Sequence, residues 1–374
     1  GRYLKYKQNA LGERVTYQYN GTPPDSVTGV ITSTTETGPN GLSTITSLDA
    51  FGQATHIDHP DSKATSITKE YGSFSVTGAH YRVKKTVTAS PEKQVLYDKW
   101  GREIAARVQG FDGAWVTSTT SYDSQGRQSS VSEPNSSMHF TTFSYDALGR
   151  VSQINRPNGQ NVKQQVYGLE SRTTNELGQV SKVFTNGFGE TASTEDALGN
   201  TVAFTYDAYG NLLTSITTAD GKTSTVSAVY DNWGRKTRTV DPIKGTWNYT
   251  YNAFGELYTQ KTANNHTFTF SYDVLGRKIR SYEPTEGTLC WNYASTEGLA
   301  AKSVGKLVST AKYGGSNLNC DTNATADIKK VFTYNALGLS EKVTTTIDST
   351  DYVQSVTYDI YSRPMVTTYP EGKT

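Results

Sequence analysis

Tyr145-Asp146-Ala147-Leu148-Gly149-Arg150 is the stretch of sequence that decides the fold. Its core is an Asp or Asn, two variable residues and a Gly, and this motif occurs fourteen times in the 374 residues. The last copy has Ser362 in place of the glycine. Many copies lie about 21 to 24 residues apart, or about half that distance. Self-similarity at a fixed period indicates a repeat architecture.

Each copy has the chemistry of a reverse turn. The Asp or Asn side chain accepts hydrogen bonds from backbone N–H groups further along the chain, and Gly tolerates the left-handed backbone that returns the chain. We therefore predict a hairpin corner at every copy. The corner residues to which we assign a structural role are Asp98, Gly101, Asp123, Gly126, Asp146, Gly149, Asp207, Gly210, Asp231, Gly234, Asn252, Gly255, Asp273, Gly276, Asn335 and Gly338.

Prolines mark a second turn in each hairpin. Six of them lie eight residues after a motif glycine or, in the last copy, after Ser362: Pro60, Pro134, Pro157, Pro242, Pro284 and Pro370. Pro presets the first central angle of a turn, as in Arg156-Pro157-Asn158-Gly159. Between Gly178 and Gly210 the motif recurs every ten or eleven residues, which predicts the same corner at both edges of the sheet there.

Alternation with period two between the turns favours strands over helices. Trp247, Tyr249 and Tyr251 share one predicted sheet face, while Asn248 and Thr250 take the other. Aromatic and β-branched residues also suit a pleated surface. The sequence therefore predicts an all-β chain with almost no helix.

Composition favours a single sheet layer. Only 34% of the residues are hydrophobic, and the chain has 25 Tyr but 2 Met, so a thick aliphatic core is not available. No charged or low-complexity linker interrupts the repeats. We predict one continuous module over residues 1–374, with irregular insertions near 20–45, 60–95 and 285–330. Because the chain opens within the pattern, we expect it to be a piece of a longer protein.

Charge and hydropathy exclude several classes of partner. A net charge of +1 gives no global electrostatic attraction to nucleic acid or anionic membranes. No apolar run approaches the roughly 18 to 20 residues of a membrane span, and the first residues do not form a signal peptide. We expect neither a nucleic-acid partner nor a membrane span.

Candidate residues for catalysis or metal binding are few. The one cluster contains His56 and His59 beside Asp58 and Asp61, and its spacing fits a surface turn better than a metal site. No Gly-x-Ser-x-Gly elbow, Walker loop or His-Glu-x-x-His is present, and each repeated acid has a turn to cap. We predict no catalytic, cofactor or metal site, and a chain that is not an enzyme.

The two cysteines, Cys290 and Cys320, lie in the longest break in the rhythm, between Gly276 and Gly338. A disulfide that closes this insertion is one interpretation if the protein is exported, and two unpaired thiols are the other. Two cysteines alone do not decide between them.

Tyr-Asp-x-x-Gly-Arg in a unit of about 21 residues resembles the RHS or YD-repeat family. The best matching copies are Tyr122 to Arg127, Tyr145 to Arg150, Tyr230 to Arg235 and Tyr272 to Arg277. In that family the repeats form a β-hairpin strip that curls into a hollow shell. The resemblance implies that this chain is part of the wall of such a shell.

Members of the family suggest the biological setting. They include RHS effectors of the type VI secretion system, the B and C components of insecticidal toxin complexes (Tc toxins), and teneurins on animal cells. The resemblance implies a structural segment of a bacterial toxin, secreted or exported by a dedicated secretion system. Its partners would be an encapsulated carboxy-terminal toxin or other cargo, the remaining shell repeats, and secretion or toxin-complex components.

Two features of the sequence bear on alternatives. Asp241-Pro242 resembles the autoproteolytic segment of such effectors only superficially, because it lies in the ordinary proline phase, and we predict a repeat turn there. Arginines after the motif glycine are expected to pair with nearby acids or to stack on tyrosine rings.

The alternative function is a carbohydrate- or cell-surface-binding hairpin module for adhesion, although such repeats are rich in Trp and this chain has five.

Overall fold

The computed structural model describes residues 4–21, 30–295, 303–315, 320 and 325–370. Within those ranges the chain forms 31 β-strands and no α-helix, which confirms the all-β prediction. None of the described residues belongs to a helix with the length and apolar character of a membrane span.

The strands are short, from three to nine residues. The first eleven are β1 Tyr6–Gln8, β2 Arg14–Gly21, β3 Ile31–Thr37, β4 Ser43–Leu48, β5 Ala54–Asp58, β6 Ala64–Tyr71, β7 Tyr81–Val87, β8 Lys93–Tyr97, β9 Glu103–Gln109, β10 Trp115–Tyr122 and β11 Gln128–Ser132. The next ten are β12 Phe140–Tyr145, β13 Val151–Asn155, β14 Asn161–Tyr167, β15 Glu170–Thr174, β16 Val180–Thr185, β17 Thr191–Glu195, β18 Thr201–Tyr206, β19 Leu212–Ala219, β20 Lys222–Tyr230 and β21 Lys236–Asp241. The last ten are β22 Gly245–Tyr251, β23 Leu257–Lys261, β24 Thr267–Tyr272, β25 Lys278–Glu283, β26 Gly287–Tyr293, β27 Leu307–Tyr313, β28 Ile328–Tyr334, β29 Ser340–Ile347, β30 Thr350–Tyr358 and β31 Pro364–Thr368.

Every strand pairs antiparallel with the next strand along the chain, which makes one open sheet of consecutive hairpins. The sheet is a strip with two edges of turns. We call the edge formed by the turns after even-numbered strands the motif edge, because eleven of the fourteen motif copies lie there. The turns after odd-numbered strands form the proline edge.

The proline edge carries all five of the phased prolines that lie between described strands, Pro60, Pro134, Pro157, Pro242 and Pro284. It also carries three motif copies, which begin at Asn9, Asn175 and Asp196. The spacing between Gly178 and Gly210 predicts this use of one corner at both edges.

The two edges differ in their hydrogen-bond register. Each of the eleven motif copies on the motif edge is accompanied by a one-residue shift in register, as between Ser144 and Tyr145. The three copies on the proline edge show no such shift. Bulges bend a strand and increase its twist. Because they lie on one edge only, they give the strip a consistent curvature.

The strip forms a wall and not a globule. Its accessible surface is 23358 Å², whereas a compact monomer of this mass exposes about 14,700 Å². Among the described residues only six hydrophobic side chains are buried, and the largest that is fully buried is Leu96. A closed core packed with tyrosines is therefore absent from the part of the chain that the structure describes.

The curvature brings the end of the strip against its beginning. Leu42 and Asp61, on the proline edge, line one crevice with Leu337 and Ser362, on the motif edge. Further along the same contact, the Glu13 carboxylate lies about 4 Å from the Cβ position of Gly305. In each case the facing turns are 25 strands apart: after β1 and β26, after β3 and β28, and after β5 and β30. One revolution of 25 strands, at about 4.8 Å per strand, measures about 120 Å, or about 38 Å in diameter if circular.

Candidate functional site

The repeated turn is built around its first side chain. In the copy that begins at Asp146, the backbone N–H groups of Leu148 and Arg150 both donate to Asp146 Oδ1 at 2.9 Å. The N–H of Gly149 donates to the Asp146 carbonyl at 3.0 Å. The second carboxylate oxygen, Oδ2, accepts from Arg150 Nε at 2.7 Å. One carboxylate thus holds both the backbone of the turn and the fifth residue of the motif.

In twelve of the fourteen motif copies the side chains of the first and fifth residues form complementary donor and acceptor pairs. Where the first residue is Asp, the fifth is a donor in these pairs: Asp98 with Arg102, Asp123 with Arg127, Asp146 with Arg150, Asp231 with Arg235, Asp273 with Arg277, Asp359 with Arg363, Asp196 with Asn200 and Asp207 with Asn211. Where the first residue is Asn, its amide donates to an acceptor in these pairs: Asn9 with Glu13, Asn186 with Glu190, Asn252 with Glu256 and Asn175 with Gln179. The turn therefore keeps one side-chain hydrogen bond while the charges change.

The arginine of one copy also reaches the next copy. Arg127, paired with Asp123, lies over the ring of Tyr145 at 4.3 Å from its centroid. The Tyr145 hydroxyl donates back to the carbonyl of Gln128 at 2.6 Å. The same stacking joins Arg102 to Tyr122 and Arg235 to Tyr251, and Arg277 lies in the same way over Tyr293 at the end of β26, where no motif copy follows. We call this chain of Asp, Arg and the next Tyr the turn ladder.

The motif glycine is required by the backbone conformation of the turn. Gly126 has φ +80°, in the left-handed region that other residues avoid. A Cβ at this position would lie 3.6 Å from Arg102 Nη1 of the preceding copy, an ordinary van der Waals contact, so space alone does not require glycine. Ser362, which takes the glycine position in the last copy, has φ +61° and so carries strain that glycine would not.

Electrostatics favours ionised, structural acids. Burial raises the pKa of Asp98, but hydrogen bonds from the Arg102 backbone and side chain and from Trp100 lower it overall. The pKa of Asp273 is lowered in the same way: burial raises it, but the hydrogen bonds and charge of Arg277 lower it by a larger amount. Carboxylates held below their ordinary pKa are poor general acids near neutrality. The turn ladder is suited to holding strands together and not to proton transfer.

The histidine cluster is divided among separate partners. His56 Nε2 lies 3.1 Å from Asp58, whereas His59 Nε2 lies 3.1 Å from the Thr65 hydroxyl. Within the described ranges no group of three or more His, Cys, Asp or Glu side chains is arranged to hold a metal ion. Asp241 accepts from the backbone of Ile243 and Lys244, as a turn-capping residue does.

A disulfide closes the longest interruption of the repeat. Cys290 on β26 is bonded to Cys320, which lies between β27 and β28, at an S–S distance of 2.05 Å. Buried Ala311 and Tyr313 pack against it. Of the two interpretations that the sequence leaves open, the structure contains the bonded pair.

Comparison with known proteins connects this ladder to a family. The family model described as RHS Repeat matches residues 122–160 and 186–223. The chain therefore contains RHS repeats. No curated protein matches its sequence.

Solved structures share the fold of this RHS-repeat chain. The crystal structure of TcdB2-TccC3 matches with a TM-score of 0.66 and 14% identity, over 98% of this chain and 24% of that one. TcdB2-TccC3-Cdc42 matches with a TM-score of 0.68 and 12% identity, over 99% of this chain and 28% of that one. The RHS-repeat chain therefore spans about a quarter of the length of these proteins. At such identities the likeness is one of fold.

Sequence reasoning found the corner residues of the RHS repeats but missed what distinguishes the edges. Nine of the eleven motif copies on the motif edge have Tyr before the first residue, and none of the three copies on the proline edge does. The tyrosine thus occurs only at copies that have a bulge. The complementary first and fifth residues were a second readable signal, as in Asn252 with Glu256.

Proposed function

We propose that this RHS-repeat chain forms part of a wall that surrounds a polypeptide cargo. The observation that carries the proposal is the closure of the strip on itself after 25 strands, as a layer with an unusually large exposed surface. A sheet that curves through a full revolution encloses a space, whereas a flat binding sheet does not. The shared fold with TcdB2-TccC3 agrees with this role.

The dimensions favour an unfolded cargo. A wall of about 38 Å diameter and about 10 Å thickness leaves a space of about 28 Å. A folded domain of about 100 residues has a radius of gyration of about 13 Å, which corresponds to a sphere of about 34 Å. One coil therefore admits an extended or collapsed chain more readily than a folded domain.

The composition of the strands supports a wall that encloses the cargo without binding it tightly. Strands such as β10, with the sequence WVTSTTSY, carry mostly hydroxyl-bearing and aromatic side chains in place of aliphatic ones, and most of these are half-buried. A wall of this kind offers a cargo few large apolar surfaces, so hydrophobic attraction to it is weak. The cargo can then leave once the wall opens.

We extend the proposal to the biological setting. The cargo is a toxin or toxin-like polypeptide of a secreted bacterial protein, and the remaining partners are further shell repeats and toxin-complex components. A disulfide between Cys290 and Cys320 agrees with export, since disulfides persist in oxidising compartments. The chain itself acts as a scaffold and not as an enzyme.

Limited proteolysis of the complete gene product, combined with electron cryo-microscopy, tests the wall. We expect one segment to resist protease in the native particle and to be cleaved after mild denaturation, and we expect images to show a hollow particle containing density. A solid particle, or cleavage of all non-repeat segments at equal rates, would contradict the proposal. The same gene product with the cargo segment deleted is the control, and it should show an empty wall.

Exposed tryptophans bear on the alternative of glycan binding. Trp100 and Trp233 lie on turns of the motif edge and are largely exposed. However, Arg102 and Arg235 lie over these rings at 4.7 Å, which occupies one face of each. A glycan array probed with the chain and with Trp233→Ser tests this alternative. Specific, saturable binding that the substitution removes would favour it.

A further inference from the structure

Two arginines converge on one buried amide on the face of the sheet formed by β7, β8 and β9. Lys84 and Arg107 are the register partners of Gln94 on the neighbouring strands, so these three side chains share a face. The Gln94 side chain is almost fully buried, at 3% exposed. Its oxygen accepts from Arg107 Nε at 2.8 Å and Nη2 at 2.6 Å, and from Arg82 Nη1 at 3.3 Å. One neutral oxygen thus holds two guanidinium groups.

The charges around this amide do not balance. Arg82 Nε donates to the Glu70 carboxylate at 2.8 Å, and Lys84 Nζ lies 2.9 Å from the Glu92 carboxylate. Arg107 forms no ion pair with a carboxylate of the described residues. Burial and the charge of Arg82 lower the pKa of Arg107, and Glu92 offsets them only in part. Three cations therefore face two carboxylates, which leaves one positive charge in excess.

Aromatic rings and a hydroxyl group frame the two guanidinium groups. The segment between β6 and β7 places the ring of Phe74 5.3 Å from the guanidinium carbon of Arg82. From the same segment, the Ser75 hydroxyl accepts a long hydrogen bond, at 3.5 Å, from Arg107 Nη1. On its other side Arg107 lies 4.7 Å over the ring of Trp115. The excess charge is therefore confined to a defined place on the sheet face, away from the turns of both edges.

We propose that this arginine cluster, formed by Arg82, Lys84, Gln94 and Arg107, binds a carboxylate group of an acidic polypeptide segment. Gln94 occupies the side of the Arg107 guanidinium that carries Nε and Nη2. The remaining pair, Nη1 and Nη2, is free to donate two parallel hydrogen bonds, which is the geometry that a carboxylate accepts. The Ser75 hydroxyl can donate a third. The site does not depend on whether the wall encloses cargo.

Charge favours a carboxylate over a phosphate group. A carboxylate brings one negative charge, which balances the excess in the cluster, whereas a phosphate group carries about 1.5 to 2 near neutral pH. The two rings favour a polypeptide over a free carboxylate ion. Phe74 and Trp115 are half-buried and retain surface for the residues that flank the acid. A free ion would gain only the ionic contact, which is weak in water.

Isothermal titration calorimetry of the complete chain tests the ligand. The probe is a short peptide with one Glu between apolar residues, and the control peptide has Gln in place of that Glu. We expect the acidic peptide to bind with a dissociation constant on the order of 1 mM and the control peptide to bind at least about tenfold more weakly. Acetate should bind more weakly than the acidic peptide, and inorganic phosphate should bind no more tightly than acetate.

Two substitutions test the roles of the residues. Arg107→Gln removes the cation that lacks a carboxylate and should weaken binding of the acidic peptide at least about tenfold. Gln94→Glu places a third carboxylate within the cluster and should weaken binding by a similar factor, while its urea unfolding midpoint stays at or above that of wild type. Arg238→Gln is the matched control and should bind like wild type, because Arg238 is an exposed strand residue that also forms no ion pair within the described ranges.

The Gln94→Glu variant separates a binding site from a structural network. A purely structural amide would lose stability when it is replaced by a carboxylate, so a lower unfolding midpoint would overturn the proposal. Wild type that binds no peptide at about 20 mM would also overturn it. So would equal binding by wild type and Arg107→Gln, equal binding of the two peptides, or phosphate that binds more tightly than the acidic peptide.

Discussion

The regular strip and the interrupted region around β26 and β27 are stabilised in different ways. From residue 133 to residue 282 no side chain is fully buried. From 283 to 313 the chain concentrates its buried residues, which are Glu283, Gly287, Thr288, Cys290, Ala294, Ser303, Ala311 and Tyr313. Where the motif is in phase between residues 133 and 282, the strip is held by its hydrogen-bonded turns. Where the phase is lost, a small core and a disulfide replace them.

Removal of the disulfide should cause the largest loss of stability, and only in the interrupted region. Cys290→Ser with Cys320→Ser frees a loop of 30 residues, and loop-closure entropy predicts a loss of about 3 to 4 kcal/mol of stability. Urea unfolding measures the loss, and hydrogen exchange should locate it in β26 to β28. Equal stability of oxidised and doubly substituted protein would show that the core alone holds this region.

Asp98→Asn should break one turn ladder in the repeat. Asn keeps an oxygen for the backbone N–H groups of Trp100 and Arg102 but removes the charge that faces the guanidinium of Arg102. Asp98 is nearly buried, so we expect a loss of about 1 to 3 kcal/mol in urea unfolding. Asp348→Asn, at an exposed turn residue with φ +48°, is the control and should change little.

Acid should erase the difference between wild type and Asp98→Asn. Burial raises the pKa of Asp98, but hydrogen bonds and the charge of Arg102 leave it below the ordinary value of 3.8. A lowered folded pKa contributes stability that is complete above the unfolded pKa and is lost as pH falls through the folded one. Urea unfolding between about pH 7 and pH 2 should show the two proteins converging below about pH 4. A constant difference would contradict the role of the charge.

The stability of the interrupted region should respond to acid at a lower pH than the turn at Asp98 does. Hydrogen bonds from the Thr285 hydroxyl, His266 and the backbone of Glu286 and Thr285 outweigh burial and lower the pKa of Glu283 to about 2. The contribution of ionised Glu283 to stability is therefore complete above its ordinary pKa of 4.5 and is lost as the pH falls through about 2. Glu283→Gln should destabilise β25 and β26 at neutral pH and converge with wild type only near that limit.

Gly126→Ala tests the backbone of the motif. Its φ of +80° predicts a loss of about 1 to 2 kcal/mol of stability. Gly187→Ala is the matched control, because Gly187 has no left-handed φ and open space at its Cβ position. Ser362→Gly should show the reverse sign, a gain in stability. A neutral Gly126→Ala would remove the conformational argument for the motif glycine.

Tyr145→Phe should have the smallest effect. It removes the hydroxyl that donates to the Gln128 carbonyl but keeps the ring under Arg127, so we expect a loss of about 0.5 to 1.5 kcal/mol. Tyr209→Phe, at an exposed turn residue, is the control and should stay within about 0.5 kcal/mol of wild type. Equal effects at both positions would argue against the ladder.

Local chemistry made the hairpins predictable, since Asp146 and Gly149 specify a corner within six residues of sequence. The sequence offered only Cys320 as a disulfide partner for Cys290, but it did not decide whether the two residues are bonded. The family resemblance implied a strip that curls, but the residues that meet where it closes were not predictable, because the crevice lined by Leu42 and Leu337 depends on small bends summed over 25 strands.

The pairing of each strand with its immediate successor has a consequence for biosynthesis. A nascent chain needs only the next few residues to complete each hairpin, so loop-closure entropy stays small at every step. The ribbon can therefore fold progressively from its amino end as it leaves the ribosome. Only the seam between Leu42 and Leu337 must wait until almost the whole polypeptide has been synthesised.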